Sequence, residues 1–370
     1  MTRPELKTFR RLLGYGALAA VVTLVVMVLL PHDRYIRWQA LRTEAYARFG
    51  WIYERIHFDP TPTDVVFIGT SHTMNGVDAA TVQQVMAADG VRDTDGRCLT
   101  ATNFAIPNYG RNVAWTIAHE LLSTRRTRMV VLETFENESR KPHPLFIYIA
   151  DAKDVLGAPL LINLNYFYDI ARLPLRQASL SFKSLFPGQF GLKSPFKITD
   201  YDGSTVDNTR VVNVGGVALT PSRDTTISPA ELEKARRHEL AIKNTHLLGR
   251  RFDALEYAFP LHYLNGILHL AARHQTPVVF LYLPGYGKPT APTDPRPYVG
   301  HGDMLFAPDI FARKDVWWDV DHLNAKGAAI YSVRVGHMLS TRLPHGPIKG
   351  PCNFGYPARA TLRPFHPPLP

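Results

Sequence analysis

From Asp64 onward, short apolar runs alternate with longer segments whose apolar residues recur at helical spacing. The pattern predicts a strand over 65–69, a helix over 79–88, a strand near 99–106, a helix over 112–123 and a strand over 129–133. These strands are apolar at successive positions instead of alternating with polar ones, which argues for a parallel sheet buried on both faces. From about 138 to 226 the pattern is interrupted. Aromatic and proline-rich text there gives way to the glycine-centred, hairpin-like "VVNVGGVAL", so this stretch reads as an insertion. The alternation resumes with helices over 229–245 and 251–274, a strand over 277–283 and a last helix over 325–343. The expected architecture is an α/β domain over 64–343, a three-layer sandwich with a central, mainly parallel sheet. A tail over 344–370, too rich in Pro and Gly for regular structure, follows it.

The start of the chain has a different pattern. Residues 12–30 carry no charge, and at about 1.5 Å per residue a helix of that length nearly crosses a hydrocarbon core of about 30 Å. Arg3, Lys7, Arg10 and Arg11 precede it with only Glu5 opposing, which leaves 1–11 in the cytoplasm and sends the rest of the chain across the membrane. A cleaved signal would have a shorter apolar stretch ending in small residues, whereas this one ends "VLLPHDRY". The expectation is a single-pass protein of a bacterial inner membrane, with 12–30 as anchor and the folded domain periplasmic. Residues 31–63 carry Tyr35, Trp38, Tyr46, Phe49, Trp51 and Tyr53. They read as an aromatic stalk near the membrane surface or, equally, as a helix packed on the domain.

With 370 residues, 45% of them hydrophobic and 20% charged, the chain can bury a sizeable core. The net charge of +10 suits an anionic glycan or lipid head groups but also describes a solvated surface with scattered Lys and Arg. No nucleic-acid motif accompanies it. The two cysteines, Cys98 and Cys352, provide no metal-ligand set. In an oxidising compartment they can pair and tie the tail to the domain; the sequence leaves pairing and non-pairing equally open.

Two stretches carry candidate chemistry. In "DVVFIGTSHTMNG", Ser71 falls just after the first strand, at the edge where open α/β sheets place ligands. A following turn into helix would point backbone N–H groups at a developing oxyanion, and Gly69 would ease the turn. The alternative is a serine that only caps the next helix. In "VWWDVDHLNAKGAA", the Asp-x-x-His spacing lets Asp319 hold the Nδ1–H of His322 and leaves Nε2 to take a proton from Ser71. Alternatively, Asp319 caps the helix that follows.

Together, "GTSH" and "DVDHLNAKG" resemble the SGNH or GDSL hydrolase family in type and order. That family has a serine after its first strand in a Gly-x-Ser block and an Asp-x-x-His pair near its C-terminal end. The resemblance covers roughly 64–137 and 277–338 and implies Ser71, His322 and Asp319 as catalytic residues. It also implies an oxyanion hole from the amides of Ser71 and Ala105 with the side chain of Asn137. In "NFAIPNYG", Asn103 aligns with the family's second block, but Ala105 stands where that block has glycine. In "VVLETFENE", Asn137 lies at the expected distance from its strand, although the accompanying glycine is lost.

The triad implies acyl transfer through side chains alone, with no cofactor. Anchored members of this family look like enzymes that add acyl groups to, or remove them from, exported polysaccharides, often beside a membrane-bound O-acyltransferase. The expected partners are thus a polysaccharide or other acyl acceptor, the inner membrane and such an acyltransferase. Two other readings remain. One is an esterase or lipase whose acyl pocket is the aromatic insertion "LLINLNYFYDI"; the other is a non-catalytic, glycan-binding subunit of an export complex.

Overall fold

The computed structural model describes residues 3–41, 48–135, 138–197, 212–214, 217–219, 225–241, 248–352 and 354. Five parallel strands form one sheet: β1 (Val65–Ile68), β2 (Ala101–Asn103), β3 (Met129–Thr134), β6 (Val278–Tyr282) and β7 (Met304–Leu305), in the order β2-β1-β3-β6-β7. A separate antiparallel hairpin, β4 (Val212–Val214) with β5 (Val217–Leu219), lies within the predicted insertion.

The helices in chain order are α1 (Arg3–Leu29), α2 (Arg34–Gln39), α3 (Arg48–His57), α4 (Ser71–Gly76), α5 (Ala79–Ala88), α6 (Arg111–Thr124) and α7 (Phe146–Ile149). They continue with α8 (Ala152–Leu156), α9 (Tyr166–Leu185), α10 (Pro229–Ala241), α11 (Asp253–Glu256), α12 (Ala258–Arg273), α13 (Pro308–Phe311) and α14 (Ala325–Ser340). The predicted strands and helices of the α/β pattern are present with shifted ends. The two-residue β7 carried no readable signal of its own.

Alternate residues of a strand point to opposite faces, and here each set enters a different core. Val66 and Ile68 of β1, with Val130 and Leu132 of β3, join a cluster containing Ile117 of α6 and Ile267 of α12. Val65 and Phe67, with Met129 and Val131, join a second cluster containing Val82 of α5 and Val335 of α14. Helices therefore cover both faces, which is why β1, the start of β3 and β6 are apolar at successive positions.

The described parts of 31–63 do not form a free stalk, and Tyr46 lies outside the described residues. Trp38, Phe49, Ile52 and Ile56 are fully buried in the first of these cores, because α2 and α3 pack against the domain. The insertion is also structural, since Phe146, Ile147, Val155 and Leu173 join the same core. A disulfide links Cys98 to Cys352. It fastens the tail beside the place where Arg92 N–H donates to the Pro344 carbonyl (3.0 Å) and Gly346 N–H to that of Arg92 (3.1 Å).

Among the described residues, one helix is long and apolar enough to cross a membrane: the stretch Thr8–Leu29 of α1, 22 residues long and with none of its span buried against the domain.

Candidate active site

In the strand order, β1 has β2 on one side and β3 on the other, so the chain's progress across the sheet reverses at β1. The crevice at the carboxyl ends of β1 and β3 is where such a sheet takes ligands. Ser71 stands there as the first residue of α4. It does not cap that helix: Thr70 is the N-cap, accepting from the His72 N–H at 3.3 Å. The Ser71 hydroxyl is thereby left for another partner.

That partner is His322, whose Nε2 lies 2.9 Å from Ser71 Oγ. On the other side of the ring, Nδ1–H donates to Asp319, with Oδ2 at 2.8 Å and Oδ1 at 3.0 Å. These contacts select the tautomer that leaves Nε2 able to accept the serine proton. Asp319 also receives the N–H groups of Asp321 (2.8 Å) and His322 (2.7 Å). Partial burial pushes its carboxyl up. The hydrogen bond and charge of His322 and these two amides outweigh that, and hold it below the usual carboxylate range. Asp319 does not cap α14, because Asn324 does so, accepting the Gly327 N–H at 2.8 Å.

The two halves of the site are positioned differently. The Asp319–His322 turn closes on itself: Trp318 N–H donates to the His322 carbonyl and Asn324 N–H to that of Val316, each at 2.9 Å. The Ser71 turn is braced from beneath by Glu133, a fully buried carboxylate in β3. Glu133 accepts from Thr70 N–H (2.6 Å), Thr70 Oγ1 (2.9 Å) and Thr73 Oγ1 (2.7 Å). Gly69 serves this brace through space: a side chain there would collide with the Glu133 carboxylate and stand 2.6 Å from Thr73 Oγ1. Its backbone needs no left-handed conformation, so the expected easing of the turn is not its role.

Sequence reasoning missed Glu133, although a lone acid ending the apolar run "MVVLE" was a legible signal. It also missed His72, which sits between the Leu283 carbonyl (Nδ1, 2.9 Å) and Tyr109 Oη (Nε2, 3.0 Å), with its ring 5.4 Å from that of His322. Nor did it find a buried cluster in which Glu138 receives a bidentate contact from Arg111 and a 2.7 Å bond from Tyr298 Oη. Arg111 and Glu138 line a shallow cleft open to solvent, together with Thr70, Asn108 and His143. Asn108 has φ 69°, a left-handed value tolerated better by Asn than by most residues.

The oxyanion residues fare differently. The Ser71 N–H is the first amide of α4, ahead of any intrahelical acceptor. The Ala105 N–H donates to Asn103 Oδ1 at 3.0 Å, so its hydrogen is directed within the loop after β2. Asn137 lies outside the described residues. Among the described residues, no group of His, Cys, Asp and Glu has an arrangement suited to a metal ion.

The insertion residues Leu160, Leu161, Leu164 and Phe167 are exposed and do not line the cleft. No protein-family profile matches the chain, and a search of curated proteins finds no match either.

Proposed function

We propose that the protein is a membrane-anchored serine acyl-transfer enzyme of the SGNH type, acting on acyl esters of an exported or cell-surface polysaccharide. The observation that carries this reading is the unbroken relay from Asp319 through His322 to Ser71, at 2.8 and 2.9 Å, at the switch point of a parallel sheet. Helices on both faces of that sheet support a three-layer sandwich. An ordinary surface histidine would not be held on both nitrogens by a carboxylate and a hydroxyl at such a place.

In the first step, Ser71 Oγ attacks the ester carbonyl as His322 Nε2 takes the hydroxyl proton. Asp319 stabilises the imidazolium. The Ser71 N–H faces the charge that develops on the carbonyl oxygen. His322 then returns the proton to the leaving alkoxide, and the acyl group remains on Ser71. In the second step a sugar hydroxyl or water attacks that acyl group and loses its proton to His322, which reprotonates Ser71 Oγ. The exposure of Leu160 and Phe167 gives no support to a lipid-binding acyl pocket.

Two features support an extracytoplasmic domain. The basic residues in the first turns of α1, ahead of its apolar stretch, favour a cytoplasmic N-terminus, and the Cys98–Cys352 disulfide favours an oxidising periplasm for the domain. A transferase there needs acyl groups delivered across the membrane, the service a membrane-bound O-acyltransferase would supply.

The test is labelling of the purified full-length chain with a fluorophosphonate. Labelling is expected for the wild type and lost in Ser71→Ala and His322→Ala. A folded wild type that does not label overturns the catalytic reading. Cells lacking the protein then separate the two reactions: surface polymer that loses esters identifies a transferase, and polymer that gains them an esterase.

A further inference from the structure

Helix α9 turns a strongly apolar face outward. Phe167, Leu175, Phe182 and Leu185 are exposed by 75%, 69%, 54% and 70% respectively. At about 100° per residue these positions fall on one face. The opposite face is mixed, burying Leu173 and Leu180 beside Asp169, Arg176 and Gln177. Arg176 donates there to the Ala150 carbonyl at 2.8 Å and to Gln177 Oε1 at 2.7 Å. Leu160, Leu161 and Leu164 before the helix, and Phe186 and Phe190 after it, extend the outward apolar surface. A continuous apolar surface of this kind marks an interaction site.

The position of α1 indicates what covers it. Gln177 Nε2 donates to the Val28 carbonyl at 3.1 Å, and Asp33 N–H donates to Ser184 Oγ at 2.9 Å. From Thr8 to Val26, however, α1 is exposed throughout. Helix α9 therefore meets the chain at the C-terminal end of α1, at the level where α1 leaves its apolar stretch.

We propose that α9 and its flanking loops lie in the surface of the bilayer that α1 crosses, their outward side chains set among lipid acyl chains and head groups. This rests on reading α1 as membrane-spanning. The border of the face fits that depth. Arg172 stacks over Tyr168 with its guanidinium carbon 4.0 Å from the ring centre, and Lys183 Nζ lies 6.0 Å from that of Phe190. Cations paired with aromatic rings at the edge of an apolar face suit the head-group layer, where each side chain has one dry and one wet end. The outer domain would then be held at two places, by α1 through the bilayer and by α9 along it.

The test uses the full-length chain, its disulfide intact, reconstituted in phosphatidylethanolamine–phosphatidylglycerol vesicles. Single spin labels are placed by Phe167→Cys, Leu175→Cys, Phe182→Cys and Leu185→Cys on the face. Val22→Cys in α1 is the lipid reference and Lys234→Cys on α10 the water reference. The face labels are expected to collide with dissolved oxygen and to lose broadening by a water-soluble nickel chelate, as Val22→Cys does. Face labels that behave like Lys234→Cys while Val22→Cys stays in lipid overturn the proposal and leave the anchor standing. If Val22→Cys also broadens, the spanning reading itself fails and takes the proposal with it. Protection in native membranes but not in lipid vesicles identifies a protein partner and overturns the assignment to lipid.

Discussion

The two turns that meet in the candidate active site are held by opposite means. The Asp319–His322 turn is a local object, closed by backbone bonds between Val316 and Asn324 and by hydrogen bonds among Asp319, Asp321 and His322. The Ser71 turn depends on Glu133, a carboxylate on the neighbouring strand and 63 residues away in the chain from Thr70. The first carries its geometry wherever the chain takes it. The second exists only when β1 and β3 pair in register, Ile68 opposite Leu132. A buried acid is a demanding brace, since its charge is tolerated only while the donors are in place. The fold and the nucleophile's position thus depend on the same contacts, whereas the acid–base pair is largely independent of them.

Asp319→Asn should separate catalysis from folding most sharply. The amide cannot stabilise the imidazolium or hold the productive tautomer, so esterase activity is expected to fall on the order of 10⁴-fold, with the thermal unfolding midpoint nearly unchanged. A matching loss of stability would show that this turn is not independent of the fold.

Glu133→Ala is the opposite experiment. It strands the Thr70 N–H and two threonine hydroxyls in a buried site. The expected cost is about 4 kcal/mol in denaturant unfolding, together with lost fluorophosphonate labelling even in molecules that remain folded. An unaltered midpoint would exclude the bracing role.

Acid should act on the fold through the buried histidine that lines the cleft. His143 is buried, donates from Nε2 to the Pro107 carbonyl (2.9 Å) and accepts the Leu145 N–H at Nδ1 (3.1 Å), so both nitrogens are engaged in the neutral form. Burial lowers its pKa from 6.5 to about 4, opposed only by the Pro107 bond. The unfolded chain therefore binds this proton at a higher pH than the folded one. Above pH 6.5 the group is neutral in both states and contributes nothing; as pH falls from 6.5 towards about 4, folding loses about 3 kcal/mol. His143→Gln should flatten that slope. A wild-type stability profile flat over this range would rule the effect out.

The smallest effect is at the cap. Asn324→Ala removes the bond to the Gly327 N–H and should cost about 1 kcal/mol. The His322 pairing with Asp319 should survive it, seen as an unchanged acidic limb in the pH–rate profile.

Several of these features are legible in the chain itself. The apolar runs at 65–68, 129–132 and 278–282 can be read as strands because burial on both faces favours apolar residues at successive positions. Asp319 and His322 could be paired because three residues are enough for a turn to join them. Helix α9 was not legible in this way. It is apolar outside and carries both apolar and polar residues inside, so its pattern gives no indication of which side the protein occupies, and Pro174 within it argues against a helix at all. The aromatics of 31–63 were equally ambiguous, because membrane-surface and core residues share one composition, and only packing put Trp38 and Phe49 inside.

The sequence by itself determined the α/β alternation, the apolar N-terminal helix and the two reactive turns, because each is set by residues close together in the chain. Tertiary structure alone decided that Ser71 meets His322 across 251 residues, that Cys98 meets Cys352, and that Glu133 supports the nucleophile. It also decided which face of α9 is turned outward. These are long-range pairings, and a chain's local pattern cannot encode a partner that strand order brings near only after the sheet has formed.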